Sequence, residues 1–446
     1  MILEIVNHLK RRLWPLKWTL IAYLRAARSG HRLPPGALRN SRALEAKNRR
    51  FQLEIKDELG PIFKLTDHGR ISISVIGLDT CRRLLMEHGN NLRTETYSMT
   101  SLFPKGILRA LEGSDHRKYR RMLVAALDSS LYQHVADNFS EIVNHSLQCH
   151  AREYRGLASP PDGLTRTLDN IATGLLIEMY FGVKFGSDDF DQLKGHFHSL
   201  GPTGFVWNIG ADQKLSFGLI RDFLLARYSP QTGASDRPVS TSVIQRIHDE
   251  HGLDEVSLGN LIYMVEMGRF DLYSLFRWLI HYAAERPDIL ARIAAEDTSR
   301  PDEKISIASA FVQETLRMDQ SERLQRSVVH DFVFDGFYFP ETAYVRLCMW
   351  ESHKDSDNFS EPFSFNPERF LDDAFTIDQY APFGLDHHRC PMAEQVIELS
   401  TLFIKVLADR YDVAPAVNST AERGTYHWQP GKQFTVRLVE KAVGNE

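Results

Sequence analysis

The spacing of apolar and polar positions predicts a chain dominated by helices, with short strands near both ends. From about 40 to 75 a short helix leads into FKLTDHGRISISVIG, whose alternation and β-branched residues fit an exposed-edge hairpin. Residues 77–89 return to helix, and TETYSMTSLFPKG after them has the composition of a substrate-contacting loop. Residues 114–156 read as helix broken near Asp128-Ser129-Ser130, and Leu164 to about Phe181 as an apolar helix. Ser187 to about Tyr228 carries further helix around an aromatic, glycine-containing interruption, and Ser229 to Pro238 is a surface loop by composition. Helix resumes over 240–298, with one run from Ser257 to Arg286 long enough to cross a core, and continues from Ile305 to Met318. After Arg326 come the short strands of VVHDFVFDGFYF and AYVRLCMW, a loop-rich section over 352–386, a helix at Pro391–Asp409 and a hairpin-like tail, HWQPGKQFTVRLV. The prediction is a mainly α chain with a small β portion, interwoven as one unit without repeats or low-complexity linkers.

Residues 1–34 form a separate basic amphipathic segment. Lys10, Arg11, Arg12, Lys17, Arg25, Arg28 and Arg32 face a single acid, Glu4, and Trp14 and Trp18 lie beside them with Pro15 between. No apolar run there reaches the ~18 residues of a membrane span. The segment either lies at a membrane interface or packs on the body with its bases in water. Without a clear h-region and cleavage site it does not look like an export signal, so a cytoplasmic protein is the expectation, with peripheral membrane contact through 1–32 as the alternative to packing on the body. Leu33-Pro34-Pro35-Gly36 ends any helix.

The 446 residues carry 53 Lys plus Arg against 58 Asp plus Glu, a formal charge of −5, with 43% hydrophobic residues. That excludes general disorder and argues against a generic nucleic-acid binder. Four cysteines, at 81, 149, 348 and 390, are too sparse for a disulfide framework and lack paired zinc spacing.

Cys390 has the richest setting, Ala-Pro-Phe-Gly-Leu-Asp-His-His-Arg-Cys-Pro-Met-Ala-Glu, a tight loop feeding a helix. Unpaired amides at a helix start favour a thiolate, and His387, His388 and Arg389 add positive charge. Taken alone, the cysteine fits equally a small buried hydrophobe. A zinc site from His387, His388 and Cys390 is the other metal reading; adjacent histidines should point apart, and no fourth ligand is close in sequence. Upstream, Glu314 and Arg317 stand at i,i+3, and about fifty residues later Asn366-Pro-Glu-Arg369-Phe370 offers a second arginine to share a buried carboxylate. As a local motif this acid–base spacing is weak.

In order and spacing, the set resembles the cytochrome P450 family. The pieces are Glu314–Arg317, Arg326, Pro340 through His353, PERF at 367–370 and PFGLDHHRC at 382–390. Further upstream, Glu112 to Arg121 looks like the family's haem-contacting helix, and FGVKF at 181–185 follows a central apolar helix as in the family. The resemblance spans about 35–440 and implies a single P450-like domain over 35–446 that binds haem b. It makes Cys390 the proximal thiolate on the metal and Phe383 the aromatic residue beside it. A thiolate ligand pushes electron density that favours O–O cleavage. His116, Arg120 and His388, with Arg326, would hold haem propionates, and Glu314, Arg317 and Arg369 would form a structural charge triad.

Two departures stand in the cysteine loop: Asp386 and Met392 replace glycines of the family pattern. Aspartate tolerates left-handed backbone, so Asp386 is expected to keep the turn. A larger departure lies in the long helix. The family pattern of Gly, any residue, acid and threonine falls on Gly268, Arg269, Phe270 and Asp271. Catalytic candidates are therefore Asp271, Arg269, Gly268 and, one turn away, Glu266; Arg269 alternatively pairs with Glu266 or solvent at the helix edge.

The resemblance implies a monooxygenase or oxidase using dioxygen and external electrons. An altered proton relay leaves three alternatives: a peroxide-using enzyme in which Arg269 pairs with a substrate carboxylate, an isomerase or dehydratase needing no redox partner, and a haem-binding interaction scaffold. Arg117, Lys118, Arg121 and Arg389 would offer a basic patch to a ferredoxin, flavodoxin or flavoprotein reductase. Tyr97, Met99, Phe103, Phe205, Trp207 and Phe270 suggest an aromatic-lined pocket for a small apolar or specialised-metabolite substrate, although such clusters also make ordinary core.

Overall fold

The computed structural model describes residues 17–94, 101–155, 157–201, 209–228, 242–296, 305–320, 324–372, 374–417, 420–424 and 428–442. Residues 1–16 of the basic segment, the predicted loop at 229–238, and Tyr97, Met99, Phe205 and Trp207 lie outside them. In chain order the first helices are α1 (17–29), α2 (Ser41–Glu45), α3 (Phe51–Leu59) and α4 (Leu78–His88). Next come α5 (Gly113–Ala126), α6 (Ser129–Glu153), α7 (Pro161–Phe181), α8 (Asp188–Leu200), α9 (Ala211–Arg227) and α10 (Val243–His251). The long α11 (Glu255–Glu285) precedes α12 (Pro287–Ala294), α13 (Ile307–Thr315), α14 (Met349–Ser352), α15 (Arg369–Asp372) and α16 (Ala393–Arg410). Strands β1 (Ile62–Asp67), β2 (Arg70–Val75) and β3 (Leu92–Thr94) lie early, and β4 (Leu324–Val328), β5 (Phe332–Phe334), β6 (Phe337–Phe339) and β7 (Tyr344–Leu347) later. The last four are β8 (Tyr411–Val417), β9 (Ala421–Arg423), β10 (Trp428–Pro430) and β11 (Thr435–Glu440).

Contacts gather the chain into two units, each drawn from three stretches. The first comprises Met1–Thr96, Arg317–Phe365 and Ala374–Arg389. Its centre is a five-stranded sheet of order β1-β2-β7-β4-β3, in which only the β2–β7 pair is parallel. His68 and Gly69, both at positive φ, make the tight turn between β1 and β2. The hairpin is at the sheet edge, as predicted, but it is buried. Ile62, Ile71, Ile73 and Val75 pack into one apolar cluster, and Phe63, Leu65 and Ile76 into another. The outer edge of β1 is covered as well: Lys64 N donates to Pro35 O at 2.7 Å and Thr66 N to Arg39 O at 2.9 Å.

The second unit comprises Tyr97–Leu316, Asn366–Asp373 and Cys390–Glu446. Its helices start and stop where short polar residues, proline and glycine dictate. Asp254 caps α11 by accepting from Ser257 N at 2.7 Å, and Pro287 after Arg286 ends it. Pro161 opens α7, and Gly182 at φ 59° closes it. α11 packs along α7 on one side and against α16, where Phe276 and Phe403 stack with centroids 4.3 Å apart. The tail differs from the predicted hairpin. β10 pairs with β9 and β11 with β8, so the tail's two strands each find an upstream partner. The architecture is mainly helical with small sheets. Among the described residues no helix is long and apolar enough to cross a membrane.

Candidate active site

In the second unit, Cys390 stands three residues ahead of α16, partly buried. The helix begins at Met392 without a side-chain cap, so its first amides meet no side-chain acceptor there. Met392 is itself 3% exposed, which shows its thioether packed inward where the family pattern has glycine. Tyr180, on α7, is fully buried. Its hydroxyl has no hydrogen-bond partner among the described residues. Burial pushes its phenol well up, and the nearby Cys390 adds to the shift. On α5, His116 is buried and Arg120 half-buried at i,i+4, one face of the same helix. Arg117, Lys118 and Arg121 are exposed on that helix; Lys118 lies 3.7 Å from Asp254.

The 31-residue α11 is buried almost throughout. Its middle departs from this: Met264, Met267 and Gly268 are partly accessible and Asp271 is exposed. Positions i, i+3, i+4 and i+7 form one open stripe along the helix. Gly268 also abuts α7, since a β-carbon there would meet Leu176 Cδ1 at 3.3 Å. Near the same stripe, burial raises the phenol of Tyr263, a hydrogen bond and charge from Arg109 oppose the shift, and Asp271 reinforces it.

Glu266 and Arg269 occupy the reverse side of α11. Arg269 is 1% exposed and Glu266 0%. The guanidinium Nε donates to Glu266 Oε2 at 3.1 Å, Nη1 lies 3.5 Å from Asp169 Oδ1 on α7, and Nη2 donates to the carbonyls of Phe197 and Gly201 at the end of α8. His198 in turn contacts Asp169 at 3.0 Å. Burial lifts the Glu266 carboxyl to about 7; the Arg269 charge works against this and Asp169 with it. Arg269 is thus neither at a helix edge nor turned toward the open stripe. Asp169 and His198 carry no sequence signal, because they reach this cluster from helices far upstream.

In the first unit, the loop before Cys390 turns at Gly384, whose φ of 102° requires glycine. A β-carbon there would come within 3.5 Å of Arg389 Cα. Asp386 does not take the left-handed backbone expected of it. Instead its carboxylate pairs with Arg326 of β4 at 2.7 Å and accepts from His388 N at 2.9 Å. Burial would raise this carboxyl, yet Arg326 holds it below the ordinary value. Phe383 and His388 are half-buried, and the rings of His387 and His388 lie 4.3 Å apart rather than pointing away from each other.

The charge triad has two visible anchors. Arg369 Nε donates to Glu314 Oε1 at 3.2 Å, both buried, and Glu314 also accepts from Asn366 N at 2.9 Å. Arg317, in the first unit, donates to the carbonyls of His353 and Pro362 at 2.9 and 2.8 Å. Each pairing fixes loop-rich backbone of its own unit to a helix or helical turn. Of the pocket candidates, Phe103 is 5% exposed and packs edge-on to Phe217 and Tyr263, the geometry of core, and Phe270 lies beside the Arg269 guanidinium at 4.0 Å. His281 is enclosed by Trp278, Tyr282 and Phe434.

The donor chemistry of these residues fits a haem: one soft sulfur donor at a helix start, a buried histidine and an arginine on a neighbouring helix for anionic groups, and an open helix stripe in the same unit. Arg326 is engaged by the Asp386 carboxylate.

A family model described as Cytochrome P450 matches residues 274–407. Beta-amyrin 11-oxidase of Glycyrrhiza uralensis is 23% identical over 415 residues, which cover 85% of this chain and 80% of that protein. Ent-kaurenoic acid oxidase of Oryza sativa subsp. japonica is 22% identical over 416 residues, 85% of this chain and 77% of that one. Among solved structures, retinoic acid-bound cyanobacterial CYP120A1 superposes with a TM-score of 0.72 at 19% identity, over 92% of this chain and 100% of its own. The family model, the curated relatives and the shared fold agree with the ordered cysteine-loop and arginine motifs, and the chain belongs to the cytochrome P450 family of haem-thiolate monooxygenases.

Proposed function

We propose that this protein is a dioxygen-dependent monooxygenase or oxidase of a small apolar or specialised-metabolite substrate, holding haem b and drawing electrons from a ferredoxin, flavodoxin or flavoprotein reductase. The observation that carries this reading is Asp271, an accessible acid at the end of the open stripe on α11, in the unit that holds Cys390. When bound, the haem with its thiolate ligand supplies the activation of dioxygen. Cys390 would ligate it, with Phe383 beside the sulfur, while His116, Arg120 and His388 hold its propionates. Met264 and Met267 present apolar surface that excludes water from the stripe. Asp271 takes up and returns a proton at its carboxylate, the work that a threonine and its neighbouring acid perform in the family pattern.

The names of two relatives, oxidases of beta-amyrin and of ent-kaurenoic acid, support an apolar specialised-metabolite substrate. A peroxide-using enzyme with Arg269 on a substrate carboxylate is less well supported, because that guanidinium is directed at Glu266, Asp169 and two carbonyls. Peripheral membrane contact is supported at α1, where Ala22 and Ala26 are buried while Leu20, Tyr23 and Leu24 are exposed.

The test is the carbon-monoxide difference spectrum of the dithionite-reduced protein. The expected result is the strongly red-shifted Soret band of thiolate ligation in the native chain, lost in Cys390→Ser. A native chain that is well folded and takes up no haem overturns the reading.

A further inference from the structure

The reverse face of α11 carries a charge cluster that the proposed reaction does not use. At roughly 100° per residue, Glu266 and Arg269 sit on the side of the helix opposite Met264, Met267, Gly268 and Asp271. One guanidinium there reaches three helices. It pairs with Glu266 on its own helix, contacts Asp169 of α7, and donates to Phe197 O and Gly201 O, carbonyls of the last turn and cap of α8. Phe197 O already accepts from Gly201 N at 3.1 Å, so the arginine completes the C-terminal capping of α8 from outside that helix. His198 ties Asp169 back to α8 at 3.0 Å, which closes a ring of polar contacts through α7, α8 and α11. A planar guanidinium with directional donors fixes orientation as well as distance.

We propose that Arg269 is a positioning residue for the distal side of the site: by clamping α11 to α7 and α8 it sets the rotation of α11 about its axis, and so sets which side chains the open stripe presents to substrate. The lock acts through Met264, Met267 and Asp271, which lie on the opposite side of the same helix. A one-residue change in the facing position would replace Met267 and Asp271 by neighbours that are now buried or flanking. The clamp therefore governs pocket shape and the orientation of the proton-handling acid. The clamp rests on the contacts above, while what the stripe faces and the optical readout rest on the haem-thiolate reading.

The experiment compares the native chain with Arg269→Met/Glu266→Gln, in which both charges are removed together so that neither is left buried alone. Arg269→Lys is the second variant; it keeps the charge and loses the fork. Two readouts are taken. Spectral titration of the haem-loaded proteins with imidazole and with phenylimidazole reads distal shape. The double variant is expected to bind imidazole as the native chain does and to change its phenylimidazole dissociation constant by about tenfold, with Arg269→Lys between. Amide hydrogen exchange, which requires no haem, is expected to show faster exchange at 197–201 and 264–271 in the double variant, while α16 stays as protected as before. Unchanged phenylimidazole affinity together with unchanged exchange at both segments overturns the proposal. Failure of the native chain to show thiolate-ligated haem overturns the functional reading instead, and the exchange readout still decides the clamp. If the double variant does not fold, Arg269→Lys decides by the same two readouts.

Discussion

Asp386 stands where the family pattern has glycine, and its carboxylate makes contacts that a glycine cannot. A glycine at that position would leave Arg326 without the carboxylate that it pairs with at 2.7 Å, and both side chains are largely buried. The aspartate thus costs the loop no unusual backbone, because Gly384 makes the turn, and adds a buried ion pair between the loop and β4. Removing one partner leaves the other uncompensated. Asp386→Ala is expected to destabilise the protein to urea by up to about 3 kcal/mol, and Asp386→Ala/Arg326→Met by clearly less. Equal losses in the single and double variants would show that the pair contributes through packing alone. Asp271 makes a different kind of claim. Its carboxylate is accessible and is assigned to proton handling, so Asp271→Asn is expected to lower reductase-driven turnover by roughly a hundredfold while peroxide-driven turnover persists. Dioxygen consumption then yields released hydrogen peroxide, measured per electron pair supplied. A variant that keeps native coupling would remove Asp271 from the relay.

At the scale of one element, α11 places a single glycine where its open stripe meets α7. A β-carbon at Gly268 would meet only the flexible end of Leu176, at 3.3 Å. Gly268→Ala gains about 1 kcal/mol of helix propensity and gives some of it back in that contact, so its urea midpoint is expected to stay near native. Gly268→Val adds bulk that α7 cannot yield to and is expected to cost about 1–3 kcal/mol. The existence and extent of α11 were legible in the sequence, which gives a run from Ser257 to Arg286 against the observed Glu255–Glu285; the Asp254 cap that opens it was not read there. So was the i,i+3 pairing of Glu266 with Arg269. The burial of that pair was not legible, because its other partners, Asp169 and His198, arrive from α7 and α8, and no local pattern announces a tertiary contact. The covered β1–β2 hairpin escaped for the same reason: alternation signals a two-faced strand, and here a second apolar cluster and residues 35–39 cover what alternation leaves open. The tail strands were legible as strands, while their pairing with β8 and β9 was decided by segments upstream.

For the molecule as a whole, buried titratable groups set opposite slopes of stability against pH. His150, 2% exposed with Nδ1 2.9 Å from Thr167 Oγ1, is held down to about 4 by burial, against an ordinary 6.5. The folded state therefore binds fewer protons than the unfolded state between those values, and stability is lost as pH falls from 6.5 toward 4. His353, pushed far lower by burial and then by Lys354 and Arg317, acts in the same direction. Glu266 acts in the other. Its folded value of about 7 stands above the ordinary 4.5, so the folded state binds more protons and stability is lost as pH rises through that window. Each group can be isolated by subtracting unfolding free energies of variant and native chain at each pH. The Glu266→Gln difference is expected to move in the variant's favour by up to about 3 kcal/mol between pH 4.5 and 7. The His150→Gln difference is expected to move in the variant's favour by a comparable amount as pH falls from 6.5 to 4. A Glu266→Gln difference that is flat with pH would mean that the carboxylate stays ionised against Arg269. The cluster on the reverse face of α11 would then carry its full charge at every pH at which the enzyme works.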